Sequence, residues 1–341
     1  MKTIRWGIIG CGDVTEVKSG PGFRKAAGSE LLAVMRRNGA LAADYARRHG
    51  VARWHDDAEA IIRAPDIDAV YVATTPATHR DYVLRCAAAG KPVLVEKPMA
   101  MDHAECADMI AACRAAGVPL WVAYYRRALP RFLAVRDLVQ SGAIGTVRMV
   151  VSRQFQPLKP PAAMNPGSPP WRVDAAESGG GLFVDMASHT LDFLDLLFGP
   201  IETVRAFAGN QAGAYAPEDT VVASYRFASG VRGSGTWCYA ADREEEYNEI
   251  VGSGGRIRYS TVRPVPIRVL RGDAVEEIPV DDPPHVHQPL IETIVAELDG
   301  RGRCPSTGET AARTTRVMDE ILREFRAEGA GGSRRNDGEA R

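Results

Sequence analysis

The stretch Ile4-Arg5-Trp6-Gly7-Ile8-Ile9-Gly10-Cys11-Gly12-Asp13-Val14-Thr15 decides the fold. A short apolar run reads as a buried strand, and Gly-x-Gly follows at once. In that setting a chain turning from strand into helix offers backbone N–H groups to a pyrophosphate. Gly10 would make the tight turn, Gly12 would let a phosphate approach the backbone, and Asp13 and Val14 would open the helix. The position usually filled by a third small residue holds Thr15. Taken alone, the motif is also compatible with a glycine-rich turn.

The strand-then-helix pattern repeats along the next hundred or so residues. Apolar runs at 31–35, 69–73, 92–95 and 119–123 alternate with helical periods at 39–49, 56–63, 77–89 and 102–116. Asp102 is placed as an N-cap, and Gly117 with Pro119 as a stop. Strands alternating with helices predict a doubly wound parallel sheet, a Rossmann dinucleotide-binding domain over 1–124. After residue 124 the pattern changes to helix 129–140, a strand at 146–156, helix 181–197 and then a run of strands. Thr220–Phe227 alternates, and Ser229-Gly230 turns it into 231–239 as an antiparallel hairpin. Further strands at 246–251, 256–260, 266–270 and 275–279 and helices at 287–299 and 306–327 complete an α+β domain over 125–328. Its sheet is expected to be open and mostly antiparallel. Residues 329–341 read as a disordered tail.

Composition agrees with a two-domain soluble protein. The chain has 341 residues, 45% of them hydrophobic, and a formal net charge of −1 from 42 Lys and Arg against 43 Asp and Glu. Such a balance offers no global pull toward nucleic acid or an anionic membrane. No apolar run approaches the roughly 18 residues of a membrane span, and no leader is visible. Six cysteines without a CxxC pair point to free thiols and the reducing cytoplasm. His285 and His287 stand two apart among prolines, but no further Cys or His cluster completes a metal site, so no metal is expected and the segment reads as a surface loop.

Three places carry chemistry. Val34-Met35-Arg36-Arg37-Asn38 ends the second strand roughly 20 residues past the glycines, where an acid commonly holds the ribose hydroxyls of NAD. Here Arg36 and Arg37 stand instead and can pair with a 2′-phosphate, so NADP(H) is favoured over NAD(H). Val93-Leu94-Val95-Glu96-Lys97-Pro98 places a lysine at the carboxyl edge of the sheet, where ligands of α/β folds bind. The plain alternative for Lys97 is a surface ion pair with Glu96. Gly179-Gly180-Gly181 allows close backbone approach to a ligand. It leads into a helix whose Asp185, His189 and Asp192 share one face at i, i+4 and i+7, a polar stripe expected to face a cleft. His189 can act as general acid or base, with Asp185 orienting it or the substrate. The alternative is a capped helix with a satisfied core histidine. Residues 157–171 hold six prolines ahead of Trp171 and Arg172. Trp171 could stack on a sugar ring and Arg172 could meet an acid, or the segment could be a stiff connection.

In combination these residues resemble the Gfo/Idh/MocA family of glucose-fructose oxidoreductases, inositol dehydrogenases and rhizopine catabolism proteins, through about residue 327. The resemblance rests on the first-strand glycines, Ala73-Thr74-Thr75-Pro76 followed by His79, Glu96-Lys97-Pro98, and the triple glycine with Asp185 and His189. It implies that Lys97, Asp185 and His189 meet at the nicotinamide as catalytic residues and that Thr74, Thr75, Pro76, His79 and Glu96 belong to the cofactor site. Tyr125, Trp171 and Arg172 are the expected additional substrate contacts. It further implies hydride transfer to or from a carbinol carbon of a sugar, polyol or related cyclic alcohol, and a homo-oligomer, dimer or tetramer. A nucleotide-sensing regulator and a glycosidase using transient oxidation are the competing readings on the same fold.

Overall fold

The structure, a computed structural model, describes residues 3–164 and 170–333; residues 1, 2, 165–169 and 334–341 lie outside the description. Contacts divide the chain into two units, one of residues 1–133 with 281–312, the other of 134–280 with 313 onward.

In the first unit the elements run β1 (Ile4–Ile9), α1 (Asp13–Val17), α2 (Gly20–Lys25), β2 (Ser29–Met35), α3 (Gly39–His49), β3 (Arg53–His55), α4 (Glu59–Ile62), β4 (Ala69–Val72), α5 (Pro76–Ala88), β5 (Val93–Val95), α6 (His103–Ala115) and β6 (Leu120–Val122). The six strands form one parallel sheet in the order β3-β2-β1-β4-β5-β6, so the order reverses between β1 and β4, the switch point at which such sheets bind ligands. β4, β5 and β6 are wholly buried, which explains why they read as unbroken apolar runs. Asp102 does cap α6, its carboxylate accepting the Glu105 N–H at 2.8 Å. Three short elements, α1, α2 and β3, are not legible as periods.

After a 3-10 turn at Tyr125–Arg127 come α7 (Pro130–Gln140), β7 (Val147–Pro157), α8 (Pro161–Met164), a second 3-10 turn at Trp171–Val173, α9 (Ala175–Ser178), α10 (Leu182–Phe198), β8 (Ile201–Gly209), β9 (Thr220–Phe227), β10 (Arg232–Ala241), β11 (Glu245–Gly252), β12 (Arg256–Tyr259), β13 (Ile267–Arg271), β14 (Ala274–Ile278), α11 (Gln288–Leu298) and α12 (Gly308–Ser333). The second unit is built on an eight-stranded sheet in the order β14-β13-β12-β11-β7-β10-β9-β8. Every neighbouring pair is antiparallel except β7 with β10. The alternation in β9 is realised: Val221, Ala223, Tyr225 and Phe227 are buried, while Val222, Ser224 and Arg226 face out. Helix α10 lies on the buried face through Phe183 on Trp237, Phe198 on Phe227 and Phe193 on Tyr259, with ring centroids 5.1, 5.3 and 5.7 Å apart. Such pairs add about 1 kcal/mol each beyond their buried area. An ion pair between the buried Asp195 and the half-buried Arg313, at 2.6 Å, ties α10 to α12.

Residues 281–312 belong with the parallel sheet, which a linear boundary at 124 does not express. The Trp121 indole N–H donates to Glu297 at 3.2 Å and the Ser306 hydroxyl to the Val122 carbonyl at 2.7 Å. Helix α12 continues to Ser333, into the expected tail, whose remaining residues 334–341 lie outside the description. All six cysteines are free and five are buried. No helix among the described residues is long and apolar enough to cross a membrane.

Candidate functional site

The predicted dinucleotide contacts gather where four parallel strands end. The Gly10 and Cys11 N–H groups donate to the Met35 carbonyl at 2.8 and 3.0 Å, Ala73 N–H to Ile9 at 2.8 Å, and Glu96 N–H to Val72 at 2.8 Å. Pairing thus continues past the strands and brings 10–14, 36–37, 74–76 and 96–97 to one edge. Gly10 has φ +92°, and a Cβ there would stand 2.7 Å from the Thr74 methyl and 2.9 Å from the Ala73 carbonyl carbon, so only glycine fits. Gly12 differs. A Cβ there would meet no protein atom closer than the Gly10 oxygen at 3.9 Å, and its φ is negative. Packing does not demand this glycine, whereas a phosphate approaching the backbone does, so the turn fits a dinucleotide. Thr15 is fully buried, and its N–H and hydroxyl both donate to the Gly12 carbonyl, at 2.9 and 2.7 Å. The unusual residue therefore closes the turn without leaving a hydroxyl unsatisfied.

Arg36 is half-buried and Arg37 exposed, and neither makes an ion pair with the described residues. Thr75 precedes Pro76, the first residue of α5, and the Thr78 hydroxyl donates to Thr74 at 2.8 Å. His79 has no exposed atom. Its Nδ1 faces the Pro98 and Met99 carbonyls at 3.1 and 3.2 Å, and its Nε2 faces that of Thr74 at 3.0 Å. Burial pushes its pKa down, against the pull of those carbonyls. His79, expected at the cofactor, is enclosed with its two ring nitrogens facing backbone carbonyls, that of Thr74 on one side and those of Pro98 and Met99 on the other.

Glu96, also expected at the cofactor, is turned inward. Its Oε1 accepts from the Tyr71 hydroxyl and from His287 Nε2 at 2.9 Å, and its Oε2 from the Lys97 backbone N–H at 3.1 Å. Burial alone would raise this carboxyl, but the hydrogen bonds from His287 and Tyr71 and the charges of His287 and Lys97 outweigh it and hold the pKa below the ordinary 4.5. Lys97 itself is half-buried and joined to Pro98 by a cis peptide bond. His287 is buried, which corrects the surface-loop reading of its segment. The signal that could have found it is the acid at the end of Val93-Leu94-Val95, because a buried carboxylate demands donors. The Tyr125 ring lies 4.4 Å from that imidazole and under the Arg126 guanidinium at 4.8 Å.

In the second unit three expected substrate residues come together. Arg172 Nε stands 3.2 Å from Asp185 Oδ2, and its guanidinium lies 4.5 Å above the Trp171 ring. Asp185, His189 and Asp192 share the predicted face of α10 and are all buried. The triple glycine has a different reason from the one expected. Gly179 takes φ +77° to end α9, a Cβ at Gly180 would collide with Val184, and one at Gly181 would lie 2.8 Å from Pro217 and 3.0 Å from the Glu218 carbonyl oxygen. Backbone conformation at Gly179 and packing at Gly180 and Gly181 account for these glycines. The proline-rich stretch is described only in part, Pro166 and Pro169 lying outside the described residues. Among the described residues no group of three or more His, Cys, Asp or Glu could hold a metal ion.

Comparison with known proteins gives the geometry a family. The pattern described as an oxidoreductase family with an NAD-binding Rossmann fold matches residues 4–124, and that of the Gfo/Idh/MocA C-terminal domain matches 132–258. An oxidoreductase of Formosa agariphila is 38% identical over 316 residues, 93% of this chain and 97% of its own. The 1,5-anhydro-D-fructose reductase of Ensifer adhaerens is 30% identical over 311 residues, 89% of this chain and 91% of its own. The crystal structure of aldose-aldose oxidoreductase from Caulobacter crescentus, complexed with glycerol, superposes with a TM-score of 0.84 at 26% identity, covering 96% of this chain and 98% of that one. Likeness over nearly the full length, together with a parallel sheet whose switch point opens on Gly10 and Gly12, makes this chain a member of the Gfo/Idh/MocA family of oxidoreductases.

Proposed function

We propose that the protein transfers hydride between a nicotinamide dinucleotide, NADP(H) in preference to NAD(H), and a carbinol or carbonyl carbon of a sugar, polyol or related cyclic alcohol. The observation that carries this reading is the Glu96-Lys97 step: a lysine leaves the carboxyl edge of the parallel sheet, its backbone held by a buried, ionised carboxylate. The open space at Gly12 supports pyrophosphate binding by the backbone of Gly10, Gly12, Asp13 and Val14. Arg36 and Arg37, without ion-pair partners among the described residues, support a 2′-phosphate site, and Thr74, Thr75 and Pro76 line the cofactor. When bound, the cofactor supplies or accepts the hydride.

The protein's own groups position the alcohol and move its proton. Lys97 orients the reacting oxygen, and His189 takes its proton in oxidation and returns it in reduction. Asp185 is held in place by Arg172, which supports an orienting role. Tyr125, Trp171 and Arg172 complete the substrate contacts. The sugar chemistry is supported by the names of the relatives that reduce 1,5-anhydro-D-fructose or act on aldoses. We place the enzyme in the cytoplasm, as its free cysteines support, and as a homo-oligomer, dimer or tetramer.

A screen of sugars, inositols and sugar acids with both cofactors tests the reading. We expect turnover with NADP(H), and a loss of about 100-fold or more in Lys97→Ala and His189→Ala variants that still fold and bind cofactor. Wild-type rates in those variants would overturn it.

A further inference from the structure

We propose that His287 is a positioning residue, which fixes Lys97 by holding the Glu96 carboxylate. The inference rests on the reading of Lys97 as the substrate-orienting group. His287 lies 191 positions from Glu96 in sequence, and its Nε2 donates to Oε1 at 2.9 Å. A carboxylate only accepts, so this nitrogen carries the proton in either charge state. The other carboxylate oxygen accepts the backbone N–H of Lys97 at 3.1 Å, so the imidazole and the lysine backbone hold opposite ends of one planar group. Tyr71 adds its hydroxyl on the His287 side.

His287 is itself held in place by its surroundings. Its backbone N–H donates to the Lys18 carbonyl at 3.1 Å immediately before α11, and the Tyr125 ring lies tilted against the imidazole with centroids 4.4 Å apart. His287, Glu96 and Tyr71 are all buried, where a rotated carboxylate would leave donors unpaired at a cost no solvent could relieve. The carboxylate therefore has one orientation while His287 is present. Without the imidazole its plane is set by Tyr71 alone, and the Lys97 amide loses its fixed acceptor.

The test compares the full-length His287→Ala, His287→Gln and Tyr71→Phe proteins with wild type and with Lys97→Ala. Glutamine is included because its amide can donate where the imidazole does. The first readout is hydrogen exchange of a peptide spanning Lys97. We expect His287→Ala to raise exchange there about tenfold or more while the neighbouring strands stay protected, with Tyr71→Phe intermediate and His287→Gln close to wild type. The second readout is turnover of the substrate found in the screen. We expect His287→Ala to lower kcat by about 10-fold to 100-fold with little change in KM or cofactor affinity, and His287→Gln to recover most of it. Unchanged exchange at Lys97, or equal losses in the alanine and glutamine variants, overturns the positioning role. If exchange responds as expected but Lys97→Ala turns over normally, the fault lies with the reading of Lys97, and the role of His287 in catalysis falls with it.

Discussion

Arg172 and Asp185 form a bridge between the 3-10 turn and the first turn of α10, with Nε 3.2 Å from Oδ2 and the guanidinium stacked on Trp171. A pair made by a planar cation that is also stacked is sensitive to the shape of the cation as well as its charge. Arg172→Ala is expected to lower kcat/KM by about 10-fold, with Arg172→Lys recovering only part of the loss. Steady-state kinetics on both variants decide it, and a lysine variant equal to wild type would show that charge alone matters.

Cofactor choice is expected to reside at the end of β2. Arg36→Ala and Arg37→Ala should each weaken NADPH binding by about 10-fold, from the loss of a charge-assisted contact worth about 1.5 kcal/mol, and leave NADH binding nearly unchanged. Fluorescence titration of the reduced cofactors measures both. Tighter NADH than NADPH binding by the wild-type protein would remove the proposed role of the two arginines.

The glycines separate ligand binding from folding. Gly12→Ala places a methyl in open space, so thermal stability of the free protein should stay within about 1 kcal/mol of wild type while dinucleotide-induced stabilisation is lost. Gly181→Ala puts a methyl against Pro217 and the Glu218 carbonyl and should cost about 1–3 kcal/mol of stability with or without cofactor. Thermal unfolding with and without NADPH distinguishes the two, and matching behaviour in both variants would contradict the distinction.

Glu96 predicts an acid limb in stability. Its folded pKa lies below the ordinary 4.5 because the donors around it outweigh burial. The stabilisation is fully present above the unfolded value near 4.5 and is lost as pH falls through the lower folded value. Glu96→Gln should be less stable than wild type at pH 7, since its amide brings a donor among donors, and should lose less on acidification. Denaturant unfolding at pH 7 and across the acid range checks both signs.

The outward pair Phe207 and Val222, in register on β8 and β9 and 81% and 48% exposed, is the apolar patch that a homo-oligomer would cover. Phe207→Asp is expected to reduce the mass measured by light scattering to a smaller species without unfolding the chain. An unchanged mass would show that this patch does not carry the proposed assembly.

The parallel sheet was legible because its buried strands, from Ile4–Ile9 to Leu120–Val122, read as apolar runs and the longer helices between them as periods. The same is true of the shared face of Asp185 and His189 and of the Asp102 cap. β3 has three residues of which none is buried, so it shows no apolar run, and α1 and α2, with five and six, are too short to show a period. β8 escaped because Phe207 turns its apolar ring outward, against the expected alternation. Local pattern therefore determined the fold class, the glycine turn and the strand end that presents Lys97. Only the tertiary structure decided what those residues touch. Glu96 is a buried anchor because His287 meets it across 191 positions. His79 is enclosed because the backbone after Lys97 folds over it, and Gly180 and Gly181 answer to Val184, Pro217 and Glu218. Hydrogen bonds and steric contacts act over a few ångströms of space whatever the separation along the chain, so periodicity reveals an element and only packing reveals its partners.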